Sequence, residues 1–323
     1  MIRAEWFYWL CGLIFVVISG FVFVDRTNAK RITSGIFWAL LGISFVLGTF
    51  VTNGSMPPWI LGIVVIVLAA LVSTGRLGRG QAKGPTEAEQ KAGADRFRGW
   101  LFVPALIIPV ITVIFATAVK AIHVNGKPLL EAGSETIIGL GVAAIIAVVA
   151  GVLMLRPPSP AAAPVHEARR LLEAIGWAVV LPQMLATLGN LFTAAGVGKA
   201  VGTITQHVIP SGSLLGAVLV YCVGMALFTV IMGNAFAAFP IMTAAIGWPV
   251  LVQQFHGNAP AVFAIGMLAG FCGTLCTPMA ANFNVVPAAL LEMTDRYGAI
   301  KAQLPTAIPL LVVNIALMYF LAF

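Results

Sequence analysis

The chain has 323 residues, of which 60% are hydrophobic and 9% charged, and it carries a net charge of +7. So few charges exclude a soluble globular domain, where about a quarter of residues are charged. Several apolar runs approach or exceed the roughly 20 residues that cross a bilayer. A transmembrane β-barrel would alternate apolar and polar residues, as runs such as Ile60 to Val72 do not.

Taken in order, the candidate spans are Trp6 to Val24, Ile32 to Val51, Trp59 to Thr74, Trp100 to Val119, Thr136 to Leu155, Leu171 to Gly196, Ala259 to Leu291 and Leu304 to Leu321. Trp6 to Val24 is long enough to span and lacks an A-x-A cleavage pattern, so it reads as a retained first helix and not a signal peptide. Gly75 to Gly99 is the one long polar excursion, with the composition of a mobile loop or a short amphipathic helix. Residues 156–170 open with RPPSPAAAP and read as a linker. They separate a five-helix scaffold, 1–155, from a second half, 171–323. The expected class is an all-α polytopic membrane protein with about eight full transmembrane helices, one re-entrant helical hairpin and one broken helix.

Lys and Arg set the orientation. Fourteen of the 18 fall in Asp25 to Arg31, Gly75 to Gly99, Arg156 to Arg170 and Glu292 to Lys301; the opposite segments hold only Arg3, Lys120, Lys127 and Lys199. The bias alternates correctly if both termini lie outside an inner membrane, and the basic loops then need no nucleic-acid partner. The hairpin 213–251 must enter and leave on the outer side. Two complete spans joined by an inner turn satisfy the same parity, but the tip, Met-Gly-Asn-Ala-Phe, has no Lys or Arg, which favours a re-entrant hairpin.

Every Asp and Glu falls in a loop or at a span end; Glu173 and Glu292 come nearest to the membrane. The four histidines, His123, His166, His207 and His256, are peripheral too, so the proton relay that intramembrane acids commonly supply is missing and no catalytic constellation is expected. The cysteines (Cys11, Cys222, Cys272, Cys276) read as small apolar filler, without the further ligands a metal site needs.

Neutral polarity is what remains. Gly233-Asn234 interrupts the hairpin, and Gly273-Thr274-Leu275-Cys276-Thr277-Pro278, with Asn282 and Asn284, interrupts the helix 259–291. Broken membrane helices persist where they line a protein cavity, and two close together point to a solute site at mid-membrane depth. Helix N-termini at Ala235 and Met279 would present N–H groups to an anion. Freed carbonyls with Asn and Thr oxygens would suit Na⁺, at Asn234 and Thr277. The expected binding set is Gly233, Asn234, Ala235, Thr274, Thr277, Pro278, Asn282 and Asn284, with Asn190 a weaker member.

At these residues Leu171 to Phe323 resembles one repeat of the ion-transporter superfamily, which includes sodium-coupled dicarboxylate and citrate carriers. Gly233-Asn234-Ala235 stands where that family has Ser-Asn-Thr at a hairpin tip, and Thr277-Pro278 with Asn282 occupies its broken helix. Two hydroxyls of the pattern are missing. Through FTVIMGNAFAAFP, GTLCTPMAANFNVVPAALLE and KAQLPTAIPLLVVNIALMYF, nearly the whole chain is similar to an uncharacterised bacterial family described as one subunit of a two-component 5-oxoproline transporter. The resemblance implies a smaller membrane-protein partner that supplies a second hairpin, a small carboxylate substrate and a Na⁺ coupling ion. The other reading is a non-catalytic membrane partner that only stabilises the actual carrier.

Overall fold

A computed structural model describes residues 1–80, 84, 86–124, 126–156, 162–208, 212–291 and 293–323. Glu292 and residues 157–161 of the expected linker lie outside the described residues, as does the His207 side chain. Apart from one short β-ribbon, the described chain is helical. Among the described residues, seven helical segments are long and apolar enough to cross a membrane: Ala4–Val24, Arg31–Thr52, Ala88–Ala121, Glu135–Leu155, Leu214–Met232, Ala235–Gln254 and Gly298–Leu321. The protein is thus an all-α polytopic membrane protein. It divides into two compact units, Met1–Ala174 and Ile175–Phe323.

The first unit contains α1 (Ala4–Val24), α2 (Arg31–Thr52), α3 (Pro58–Ser73), α4 (Glu87–Phe97), α5 (Val103–Thr117), α6 (Glu135–Leu155) and α7 (Ala163–Ile175). Where α1 crosses α2, a Cβ on Gly12 would sit 2.8 Å from the Gly42 carbonyl oxygen, and one on Gly42 2.7 Å from that of Gly12. Small residues on both helices let the backbones touch, which is how helices gain contact in a solvent as apolar as their side chains. Trp9 Nε1 donates to Thr49 Oγ1 (2.9 Å) at the same seam. Beyond α5, His123–Val124 pairs with Lys127–Pro128 as an antiparallel ribbon, β1 and β2. Ile2 forms a parallel bridge with Leu130, and the Ala4 amide donates to Glu131 Oε2 at 2.9 Å.

Of the two readings of the polar excursion, a mobile loop or a short helix, the structure has the helix: Thr86 and Glu89 form a reciprocal capping box that starts α4, while residues 75–80 are held by hydrogen bonds. Two expectations are revised here. Residues 163–175, placed partly in the linker by their Ala and Pro content, form a helix. Its Arg169 is shared by Asp25 and Glu173, and Glu173, 7% exposed, also accepts from the Gly80 amide at 3.2 Å. Leu171 to Gly196 is not one span either. Helix α7 ends at Ile175, Gly176 takes a φ of +56°, a 3₁₀ turn runs to Val180, and α8 is Leu181–Ala194 with Pro at its start. A left-handed glycine followed by a proline ends one helix and begins another.

The second unit continues with α9 (Val197–Val208), α10 (Leu214–Met232), α11 (Ala235–Met242), α12 (Ala259–Thr274), α13 (Val285–Leu290) and α14 (Gly298–Leu321). A π-helical stretch, Thr243–Gln254, prolongs α11 and contains Pro249, whose missing N–H is tolerated by the wider turn. Tyr221 of α10 lies at the centre, fully buried, its hydroxyl 3.3 Å from Thr243 Oγ1. Met225, Ile246, Leu251, Val262 and Met318 complete that core. The arms of the 213–251 hairpin are 19 and 20 residues long, each enough to cross, and its break is buried at Met232 (2%) and Ala235 (0%).

The Asp25–Arg169 pair gives a pH-dependent prediction. Hydrogen bonds from Thr27, then the Arg169 guanidinium, hold the Asp25 carboxyl below its ordinary value. A depressed carboxylate stabilises the fold above its unfolded pKa, and that contribution is lost as pH falls through the folded value. Asp25→Asn should cost about 1–2 kcal/mol at neutral pH, less than for a fully buried pair. The gap in thermal midpoint between wild type and variant should close below roughly pH 4. A gap independent of pH would show that packing, not charge, sets it.

Candidate functional site

The hairpin break and the broken helix meet at backbone level. Helix α10 ends on Gly233, whose φ of +73° suits glycine, and whose amide donates to the Thr229 carbonyl at 2.6 Å. A Cβ at Gly233 would lie 2.6 Å from the Met279 carbonyl carbon and Cβ. Only glycine meets both demands, a left-handed turn and a backbone pressed against a backbone. Asn234 then caps α11, its Oδ1 accepting from the Phe236 amide at 2.9 Å. Its side-chain oxygen is therefore committed to the helix, and its Nδ2 is the group left for a ligand. Asn234 is half-buried.

Helix α12 ends at Thr274, one residue beyond Gly273, where a Cβ would collide with the Ala226 carbonyl of α10. Residues 275–284 form turns. Met279 is not a helix N-terminus, as the sequence suggested, because α13 begins only at Val285 and has six residues. The reason lies in Asn284, 1% exposed, whose Nδ2 donates to the carbonyls of Thr274 (2.9 Å) and Thr277 (2.6 Å). Those are the carbonyls that helix termination frees. One buried amide ties both ends of the interruption together and fixes the turn.

The hydroxyls nearby are also in local use. Thr274 Oγ1 donates to the Phe271 carbonyl at 2.6 Å, and Thr277 Oγ1 accepts from the Met279 amide at 3.2 Å. The side-chain oxygens with no partner lie elsewhere. Among the described residues, the buried oxygens without a hydrogen bond are Thr229 Oγ1, Asn284 Oδ1 and Gln303 Oε1. All three belong to the break: Thr229 Cβ is within 3.0 Å of where a Gly273 Cβ would sit, and Gln303 of α14 reaches the Phe283 carbonyl at 3.5 Å. Bare buried acceptors cost about 1–3 kcal/mol each, so three of them on the segments around one break call for a specific cause.

The remaining members divide. Ala235 is buried as the first residue of α11; Pro278 and Asn282 are exposed, beside Met279 at 48%. The broken segment therefore reaches the surface of its unit. Phe271 links the two breaks, its ring 5.7 Å from Phe236 and 6.2 Å from Phe283. Asn190 stands exposed on α8, which packs on α11 through Gly189, a Cβ there lying 2.8 Å from Ala237 Cβ. Cys272 Sγ lies 3.5 Å from both the Leu268 carbonyl and Asn314 Nδ2, Cys276 Sγ lies 3.2 Å from the Cys272 carbonyl, and no cluster of metal-ligating side chains occurs among the described residues. Thr229 and Gln303 escaped the sequence reading because a lone Thr or Gln in an apolar run looks like an ordinary helical residue.

Asn284→Ala strips the partner from two buried carbonyls and should cost about 2–5 kcal/mol. Hydrogen exchange of 275–284 should accelerate while α10 stays protected. Gly233→Ala should destabilise by at least about 1–2 kcal/mol from the left-handed turn alone.

A family model for a protein of unknown function, DUF979, matches residues 5–323. No curated protein and no solved structure matches the chain. Since the match spans nearly every residue, the chain belongs to the DUF979 family.

Proposed function

We propose that this protein is a subunit of a secondary active transporter for a small carboxylate, with 5-oxoproline the first substrate to test and Na⁺ the coupling ion. The observation that carries the reading is the contact of two helix interruptions, Gly233 against Met279, with unpartnered oxygens of Thr229, Asn284 and Gln303 on the segments that flank them. Neutral oxygens facing no donor suit a hard monovalent cation. The amide nitrogen of Asn234 and the N-terminus of α11 suit a carboxylate beside it. The substrate identity rests on the family resemblance at these motifs. On this reading the hairpin is re-entrant, both termini lie outside the inner membrane, and a smaller membrane protein completes the site with its own hairpin. Chemistry on the substrate is not part of the proposal.

A second reading, a non-catalytic partner that stabilises the true carrier, draws on one observation. Asn234 Oδ1, Thr274 Oγ1 and Thr277 Oγ1 are all used by the chain's own backbone, as in a helix seam that binds nothing.

Thr229→Val separates the two, because it removes an unpartnered hydroxyl at nearly constant shape. In a dry seam the change is neutral or stabilising; in a cation site it removes a ligand. Reconstituted with the smaller subunit, wild type should take up labelled 5-oxoproline under an inward Na⁺ gradient. Thr229→Val and Asn234→Ala should each lower that uptake at least about tenfold, equivalent to one lost hydrogen bond or ligand contact. Assembly should persist. Unchanged uptake in both variants would assign the carrier role to the partner, and uptake indifferent to Na⁺ but abolished by a protonophore would overturn the ion.

A further inference from the structure

The sequence Gly75-Arg76-Leu77-Gly78-Arg79-Gly80 follows α3 directly. Its backbone is fastened to the turn between α1 and α2 by neutral groups and one lysine. Lys30 Nζ donates to the Gly75 carbonyl (2.6 Å), Thr33 Oγ1 to that of Arg76 (2.5 Å), and Ser34 Oγ to that of Gly78 (3.2 Å), while the Gly78 amide donates to Ser34 Oγ (2.9 Å). Gly78 and Gly80 face inward: a Cβ at the first would strike Asn28 Oδ1, and one at the second Asp25 and Arg169. Arg76 and Arg79 are exposed, and no hydrogen bond or ion pair engages either guanidinium among the described residues. Alternating glycine and arginine thus press a strip of chain flat and turn its cations outward.

Arg26 and Lys30, exposed, belong to the turn beneath and Arg31, half-buried, opens α2, so five cations gather about this turn. The carboxylates within reach are spent on others: Asp25 and Glu173 on Arg169, and Glu167 on Arg170 at 2.9 Å. Under Gly78, Asn28 is 2% exposed and its Nδ2 has no partner, so the floor of the strip carries an uncompensated N–H as well. The surface sits where α1 and α3 end and α2 begins, which for membrane-crossing helices is headgroup depth.

We infer that this surface binds the phosphate of an anionic phospholipid of the cytoplasmic leaflet. Orientation by charge bias alone needs only that Lys and Arg be present in a loop. It does not require the loop to be laid down with its arginines bare and its acids sequestered. A basic surface between helix ends is the arrangement that holds lipid phosphates, each Lys or Arg near the membrane adding attraction to anionic lipid. The inference rests on α1, α2 and α3 crossing the bilayer and is independent of transport.

The test compares purified full-length protein in detergent, titrated with phosphatidylglycerol, phosphatidylcholine or glycerol phosphate, reading bound lipid by native mass spectrometry and the thermal midpoint. Wild type should retain phosphatidylglycerol over phosphatidylcholine and rise in midpoint with it alone. The exchange Arg76→Gln with Arg79→Gln should weaken that retention about tenfold. Lys91→Gln with Arg96→Gln in α4, removing equal charge elsewhere, should change it little. High salt should erase part of the preference. Equal loss in both double variants, or no preference for phosphatidylglycerol in wild type, would overturn the inference. An equal response to glycerol phosphate would reassign the surface to free anions. If the first pair fails to fold, Arg26→Gln alone carries the same comparison.

Discussion

A helix broken in an apolar interior has nowhere to send its loose carbonyls, and the segment that follows α12 is built around that constraint. Asn284 answers it by giving both amide hydrogens to the Thr274 and Thr277 carbonyls. The alternative, leaving two buried acceptors bare, would cost about 1–3 kcal/mol each, a large part of the stability of a domain. Once the turn is fixed, Met279 is placed, and with it the backbone against which the left-handed Gly233 rests. The hairpin break and the helix break are in this sense one element of structure.

The same amide explains why the site combines rigidity with unmet demand. Its nitrogen is saturated, so its oxygen must be the acceptor left over, and the environment supplies no donor. Thr229 and Gln303 repeat the pattern from α10 and α14. Such groups are ordinarily eliminated from an apolar interior, since an aliphatic residue of equal size would be at least as stable. Their retention on three different segments around one turn is hard to reconcile with packing alone. It is the physical reason to look for a bound cation there.

Much of this was legible in the residues, and where it was not, the reasons are specific. Apolar length located most helices to within a few residues, and both interruptions were visible as polar clusters in otherwise continuous runs. Proline and glycine marked that α12 would break, but not where the chain would resume. The sequence pointed to Met279, just after Pro278, whereas the side chain of Asn284 captures the carbonyls and delays helix until Val285. Side-chain hydrogen bonds of that kind join residues ten apart and leave no periodicity to read. Leu171 to Gly196 failed for the opposite reason: hydropathy is continuous across Gly176, and only its backbone angle reveals the division. Arg169 was countable as a positive charge but not as the shared partner of two acids 144 residues and four residues away.

The bridge from Ile2 to Leu130, with the Ala4 amide on Glu131, has a bearing on biogenesis. The amino terminus can be anchored only after about 130 residues have left the ribosome, roughly 6–26 s at ordinary elongation rates. Until then the first helix has α2 as its chief companion, held through the Gly12–Gly42 crossing and the Trp9–Thr49 bond. Until the β-ribbon is made, α1 and α2 have their own close crossing to rest on, and the ribbon then adds a second hold on residues 2–4.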